Sequence, residues 1–223
     1  MPSNRYPIIA REGWLFILIV ILLGLILLYV LYPAAAISVW ALLVPMVYFF
    51  RDPHRVIPAS PTAIVSPVEG VVDSVKTVTD HWLDRDAIRV RIRMGYNNTY
   101  SIRSPIEGNI LNCWSSEPAT LGSKDRIHRH SFWVQSDEGD DVLTAIYLGK
   151  VTARLHSYIH PGERVGQGQR CGYFIFGGVV EVYFPVNSKI RVKQGEMVQS
   201  GSSILGQLVQ KRSSSTIGNP LTA

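Results

Sequence analysis

Three arginines alternate with apolar residues in the stretch AIRVRIRM, residues 87–94, at Arg89, Arg91 and Arg93. Because successive side chains of a strand point to opposite faces, this spacing places three guanidinium groups on one face. Guanidinium groups bind phosphate oxygens in pairs, so the pattern predicts a patch for anionic lipid headgroups. A solvated strand face accounts for the same pattern, and both interpretations are kept.

Two histidines, His128 and His130, alternate beside Arg126 and Arg129. A zinc site needs three or four ligands, and no third ligand is well placed near this pair. We therefore predict no metal site. Arg126 is assigned, with the three alternating arginines, to contacts with anionic lipid.

Two adjacent glycines, Gly177 and Gly178, interrupt the apolar run GYFIFGGVVEVYFP at residues 172–185. Glycine inside a strand weakens it and marks a bulge, a bend or a close approach of another backbone. The pair therefore predicts an unusual backbone position in an otherwise ordinary strand.

The N-terminal region is apolar in two consecutive runs. Residues 14–32, WLFILIVILLGLILLYVLY, carry no charge and are long enough to cross a bilayer as one helix. Residues 34–50, AAAISVWALLVPMVYFF, form a second uncharged run that contains Pro45. The sequence predicts a transmembrane helical hairpin over residues 1–50, and a single span followed by an interfacial segment is the alternative.

The charges around these runs favour the hairpin. Arg5 and Arg11 precede the first run, Arg51 and Arg55 follow the second, and the connection between them is uncharged. Positive residues remain on the cytoplasmic side of a membrane, so both ends of a hairpin would lie there.

Composition narrows the classes of partner. The 223 residues are 47% hydrophobic and 17% charged, with a net charge of +5. A modest basic excess beside a membrane segment predicts an anionic lipid surface as partner, and no nucleic-acid-binding motif accompanies it. Two cysteines, Cys113 and Cys171, are too few for a disulfide framework and fit a reducing compartment.

Residues 51–209 are typical of an all-β barrel or sandwich. Runs such as GVVDSVKTV, SFWVQ and DVLTAIYL alternate with clusters of Gly, Pro, Asn and Asp. Two turn sequences recur: SPVEG at 66–70 as SPIEG at 104–108, and GERVGQG at 162–168 as GEMVQSG at 195–201. These repeated turns predict an internally duplicated domain. The polar, Ser/Thr-rich tail at 210–223 is predicted to be disordered.

Several motifs in a fixed order carry a resemblance to a known family. They are FFRDPHR at 49–55, SPVEG at 66–70, IRSPIEG at 102–108, KDRIHRHSFWV at 124–134 and the long stretch 147–185. Together, from about residue 49 to 207, they resemble the short, bacterial type of phosphatidylserine decarboxylase. The resemblance implies an N-terminal hydrophobic hairpin in the bacterial inner membrane and a β domain on its cytoplasmic face.

The resemblance also implies a self-processing reaction that this sequence departs from. Members of the family carry Gly-Ser where Gly177 and Gly178 stand, and the serine becomes a pyruvoyl group that serves as electron sink during decarboxylation. Glycine has neither the hydroxyl that attacks the preceding carbonyl nor a β-oxygen to eliminate. No pyruvoyl cofactor is therefore expected at Gly178.

Three further family positions differ. Glu69 stands where the family has an aspartate that helps to activate the serine, and Tyr100 stands where it has a histidine that assists decarboxylation. Longer members carry a second histidine at the position of Arg103. Glutamate keeps a carboxylate, but a tyrosine is a poor proton shuttle near neutral pH.

Two functions remain in view. The first is a non-catalytic member of the family that binds aminophospholipid or pairs with an active paralogue or with itself. The second is an active phosphatidylserine decarboxylase with atypical processing. No Ser or Thr lies between Ser157 and Ser188, so the nucleophile of such a reaction would be the thiol of Cys171, attacking at the Arg170–Cys171 bond.

Overall fold

The structure is a computed structural model that describes residues 10–30, 33–53, 55–95, 97–116, 128–148, 155–174 and 177–209. The tail at 210–223, predicted to be disordered, lies outside these residues. The helices described are α1 (Arg11–Val30), α2 (Pro33–Trp40) and α3 (Leu43–Phe49). Among the described helices, only α1 is long and apolar enough to cross a membrane, over Gly13–Val30; the apolar stretch Pro33–Phe49 is shorter.

The helical region folds back on itself. The backbone N–H of Ala10 donates to the carbonyl of Phe50 at 2.7 Å, so the two ends of the region meet. Half-way along, the indole Nε1 of Trp40 donates to the carbonyl of Ile21 at 3.4 Å. Gly24 makes this contact possible, because a Cβ at that position would collide with the indole.

The second apolar run does not form the single helix predicted over residues 34–50. It is divided into α2 and α3 by a turn at Ala41 and Leu42. Pro45 explains the break, since proline donates no backbone hydrogen bond and its ring clashes with the carbonyl four residues earlier, which here belongs to Ala41.

Every regular element described after Phe50 is a β-strand, which confirms the β-rich prediction. The strands are β1 (Ala63–Val65), β2 (Gly70–Asp80), β3 (Arg85–Arg93), β4 (Ser101–Arg103), β5 (Gly108–Ser116), β6 (His128–Gln135), β7 (Asp141–Leu148), β8 (His156–Ser157), β9 (Arg164–Val165), β10 (Arg170–Tyr173), β11 (Gly178–Pro185), β12 (Lys189–Ile190), β13 (Met197–Val198) and β14 (Ile204–Gln207).

Eight strands form one antiparallel sheet in the order β13-β2-β3-β11-β7-β6-β5-β9. Two three-stranded sheets, β1-β14-β12 and β4-β10-β8, accompany it. One face of the large sheet carries the main apolar core, to which β3, β7 and β11 contribute Val90, Ile146 and Val182. The central strands are therefore occupied in core packing. A binding or catalytic site is expected at the turns and strand ends along the margins of the sheet.

The recurring turn sequences adopt matching hydrogen bonds. The hydroxyl of Ser66 donates to the carbonyl of Val68 at 2.7 Å, and that of Ser104 donates to Ile106 at 2.7 Å. The N–H of Gly195 donates to Val72 on β2, and that of Gly162 donates to Ile110 on β5. The order of the large sheet has the same symmetry, because β13-β2-β3-β11 matches β9-β5-β6-β7. Each feature of one half can therefore be compared with its counterpart in the other.

Candidate functional site

The glycine pair lies at the start of a strand, not in the middle of one as the sequence suggested. β10 ends at Tyr173 and β11 begins at Gly178. Gly177 has a φ of +75°, a left-handed conformation that side chains with a Cβ rarely adopt. This conformation is not that of a strand, so the pair marks the point at which the chain leaves the segment after β10 and enters β11.

Both glycines also lie close to other backbone segments, as the sequence predicted. A Cβ on Gly177 would lie 3.2 Å from the carbonyl oxygen of Met94. A Cβ on Gly178 would lie 2.6 Å from the carbonyl oxygen of Tyr147, a separation that real Cβ atoms do not reach. The local backbone therefore has no room for a side chain at residue 178.

Glu69 is held in the turn that enters β2. Its Oε2 accepts hydrogen bonds from Nη2 of Arg55 at 2.6 Å and from the hydroxyl of Thr99 at 2.9 Å. Its carbonyl accepts a third from the side-chain amide of Asn98 at 3.0 Å. The carboxylate is thus attached to the segment that follows the helices and to the loop before β4.

Tyr100 lies at the end of that loop and is buried. Its ring meets Tyr173 edge to face at a centroid distance of 6.4 Å, and its carbonyl accepts a hydrogen bond from the N–H of Phe174. The ring of Phe174 in turn lies against Gly178, 3.3 Å from where its Cβ would be. Glu69, Tyr100 and the glycine pair are therefore brought together around residues 94–95 and 97–100.

Arg103 points to a different, buried cluster. Its Nη2 donates to Oδ1 of Asp52 at 3.1 Å, and the hydroxyl of Ser101 donates to the same oxygen at 3.0 Å. The Nε of Arg170 lies 3.8 Å from the other oxygen of Asp52. All three charged side chains are 5% exposed or less.

Asp52 and Arg170 were not singled out from the sequence. Asp52 lies within FFRDPHR, a motif noted for its resemblance and not for its chemistry. The partners of this aspartate lie on β4 and β10, so no local pattern indicates the cluster. It joins the end of the helical region to the β domain.

The alternating arginines lie on one face of β3, as predicted, and acidic residues of the neighbouring strands pair with them. Nη1 of Arg89 and Nη1 of Arg91 lie 3.6 and 3.8 Å from Oε1 of Glu181 on β11. Asp73 on β2 pairs with Arg91 and Arg93. Two carboxylates thus face three guanidinium groups, and only Arg93 is largely exposed, at 68%.

The paired carboxylate of Glu181 is buried and also accepts a hydrogen bond from the hydroxyl of Tyr183 at 2.6 Å. Burial raises the pKa of Tyr183, and the negative charge of Glu181 adds to the effect. Arg89 and Arg91 therefore belong to a structural network, whereas Arg93, which is paired with Asp73, lies exposed at its margin. Arg126, the fourth predicted lipid contact, lies outside the described residues.

Cys171, the alternative nucleophile, is 2% exposed on β10. Its thiol donates to the carbonyl of Gln169 at 3.4 Å. Burial raises the pKa of this thiol to about 12, so almost none of it is thiolate at neutral pH. A reaction that starts from the thiolate is therefore disfavoured here.

This burial predicts the alkylation behaviour of the two cysteines. In the folded protein at pH 8, iodoacetamide is expected to leave Cys171 unmodified and to react with it only after denaturation. Cys113 is half-buried and serves as the internal comparison, although burial raises its pKa as well. Peptide mass spectrometry over a time course measures both rates, and faster labelling of Cys171 than of Cys113 in the native protein would contradict the assignment.

The comparisons with known proteins agree with this architecture. A sequence model of the phosphatidylserine decarboxylase family matches residues 42–206. A phosphatidylserine decarboxylase proenzyme of Nitrosomonas europaea is 34% identical over 215 residues, covering 92% of this chain and 98% of that protein. Proteins of the same name from Burkholderia ambifaria and Burkholderia lata are 36% and 37% identical over 210 residues, with the same coverage.

The matched proteins are bacterial, and this chain combines a β-rich domain with one apolar N-terminal helix that is compatible with membrane association. The chain belongs to the phosphatidylserine decarboxylase family, as its motifs indicated. Members of this family depend on a pyruvoyl group, which makes the chemistry available at residue 178 the central question.

Proposed function

We propose that this protein is a membrane-anchored, non-catalytic member of the phosphatidylserine decarboxylase family that binds aminophospholipid. The observation that carries the proposal is the pair Gly177 and Gly178 at the position where the family processes itself. A pyruvoyl group retains the carbon that was the serine Cβ. Residue 178 has no such carbon, and the carbonyl of Tyr147 occupies the space in which it would lie.

Cys171 and two other family positions, Glu69 and Tyr100, do not supply the missing chemistry. Cys171 lies at the start of β10, and burial disfavours its thiolate. Glu69, which replaces the activating aspartate, is engaged by Arg55 and Thr99. Tyr100 is buried against Tyr173 in the place of a histidine. Nucleophile, activating group and proton shuttle are therefore all altered.

The position of the site supports a role at the membrane. Arg51 is the first residue after the apolar helices, and its Nη2 donates to the carbonyl of Asn97 at 2.8 Å. Asn98 and Thr99 donate hydrogen bonds to Glu69, and Met94 and Gly95 lie against Gly177, so the site lies beside the end of the helical region. A ligand delivered by the bilayer would reach it without leaving the interface.

Several finer features belong to the same proposal. The helices form a hairpin with both ends on the cytoplasmic face of the bacterial inner membrane, in line with the flanking arginines. The β domain arose by internal duplication, which the matching turns and the symmetrical strand order support. The partners of the protein are an anionic or amino-phospholipid membrane and either a second copy of this chain or an active paralogue.

The intact mass of the purified protein tests the absence of processing. A single chain of 24.9 kDa that does not react with a carbonyl-specific hydrazide is expected, together with no release of carbon dioxide from phosphatidylserine. The Nitrosomonas europaea proenzyme, purified in parallel, provides the positive control. Two fragments, the smaller blocked at its N-terminus, would overturn the proposal in favour of an active decarboxylase with atypical processing.

A further inference from the structure

A cavity of about 470 Å³ opens beside the glycine pair, at the margin of the large sheet. It is lined by the ends of β2 and β3 and by the turn before β13, and Met94 and Gly95 form one of its walls. The carbonyl of Met94 lies next to Gly177, so the cavity adjoins the position at which the family forms its cofactor.

Two side chains of opposite charge stand at this cavity, Asp73 and Arg93. Asp73 is the extra residue of a β-bulge, because Val72 pairs with Ile92 while Ser74 pairs with Arg91. A bulge changes the direction of a side chain and is often found beside binding sites. The carboxylate accepts a hydrogen bond from Nη2 of Arg93, and the two side chains are 32% and 68% exposed.

The other half of the domain shows that the fold does not require this charged pair. β5 has the same bulge between Ile110 and Asn112, where the extra residue is Leu111. Gln135 pairs with Asn109 there, as Arg93 pairs with Val71 in the first half. The same backbone arrangement therefore forms with Leu111 in the place of Asp73 and Gln135 in the place of Arg93.

Apart from Gln194, the described residues that line the rest of the cavity have no polar side chain, and the cavity lies close to the membrane anchor. Val71 lines it at 40% exposure and pairs with Met197, which is 67% exposed. Gly95 accepts a hydrogen bond from the N–H of Asn98, in the turn whose Asn97 carbonyl is bound by Arg51. An amphiphile in the bilayer interface could therefore place its polar group at the charged pair and its apolar part against Val71 and Met197.

We propose that this cavity binds the zwitterionic headgroup of an amine-bearing phospholipid, with the ammonium group on Asp73 and the phosphate on Arg93. The inference rests on the proposed function and gives it a location. Asp73 also keeps Arg91 as a partner, with Nε 3.7 Å from Oδ2. Its exposed pair with Arg93 contributes little to stability, so exchanging that pair for two ligand contacts costs little. Arg93 presents a fork of donors that suits a phosphate, and the carboxylate of Asp73 accepts hydrogen bonds from an ammonium.

Binding of defined lysolipids to the full chain in detergent tests the proposal. Lysophosphatidylethanolamine and lysophosphatidylserine are compared with lysophosphatidylglycerol, which lacks the amine, and with soluble glycerophosphoethanolamine. Asp73→Asn is expected to weaken the binding of both amine lipids about tenfold and to leave the affinity for lysophosphatidylglycerol unchanged. Arg93→Gln is expected to weaken the binding of all three lysolipids. Arg164→Gln, which removes an exposed arginine paired with Asp137 in the other half, is the control and leaves binding unchanged.

The outcomes separate this inference from the proposed function. If binding is unchanged in both Asp73→Asn and Arg93→Gln while the wild type still prefers amine lipids, the assignment of the headgroup to this cavity is wrong. The proposal that the protein binds aminophospholipid is then unaffected. A wild type without that preference overturns both. Glycerophosphoethanolamine bound as tightly as its lysolipid overturns the membrane source of the ligand. Thermal melting of each variant ensures that folded proteins are compared.

Discussion

A serine introduced at residue 178 is expected to leave the chain in one piece and to destabilise it. The Cβ of any residue there meets the carbonyl of Tyr147 at 2.6 Å, and this backbone atom belongs to the neighbouring strand β7. Forcing extra atoms into a packed position typically costs about 1–3 kcal/mol. Urea unfolding in detergent measures the loss of stability for Gly178→Ser, and intact mass measures cleavage.

Gly166→Ser is the matched control for this substitution. Gly166 lies in a turn without a positive φ, and a Cβ there meets only the end of the Gln169 side chain at 3.6 Å. It should therefore change the stability by much less than Gly178→Ser does. A Gly178→Ser protein that is as stable as the wild type and splits into two chains would mean that the processing machinery survives and lacks only its nucleophile.

The sequence was a good guide to elements whose residues are adjacent in the chain. The alternating stretch at residues 87–93 belongs to β3, and SFWVQ and DVLTAIYL belong to β6 and β7. The first apolar run became α1. The break before Pro45 could have been predicted from the proline itself, but the flanking arginines favoured a second span over residues 34–50.

Partnerships between distant residues could not be read in this way. In the sequence, the three arginines of β3 predict an open cationic face. In the structure, Glu181 pairs with two of them from β11, a strand that is distant in the sequence but adjacent in the sheet. Asp73 depends on a bulge in β2 between Val72 and Ser74, where no glycine indicates it. Strand order and register, which set these contacts, follow from the packing of the whole sheet.

The site illustrates the same limit. Resemblance placed Gly178, Glu69 and Tyr100 among the functional positions, and the structure brings them around residues 94–95 and 97–100. The resemblance could not indicate that Arg103 binds Asp52 instead. One of the four altered positions thus serves the junction between the helices and the β domain.

Replacing Asp52 by alanine is expected to give the largest loss of stability of the substitutions considered. Asp52 is 2% exposed and faces the guanidinium groups of Arg103 and Arg170, both of which are buried. Its removal leaves two like charges in a medium that solvates them poorly, and breaking a buried ion pair typically costs about 3–5 kcal/mol. Urea unfolding in detergent, compared with the wild type, measures the difference.

Asp137→Ala provides the comparison, because Asp137 also pairs with an arginine, Arg164, but both side chains are more than half exposed. Its effect should lie within the error of the measurement. Equal effects of the two substitutions would mean that the Asp52 cluster is not a structural junction. A large effect confined to Asp52→Ala would instead tie the stability of the β domain to the first residues after the helices, so that the site beside Arg51 keeps a fixed position relative to the membrane.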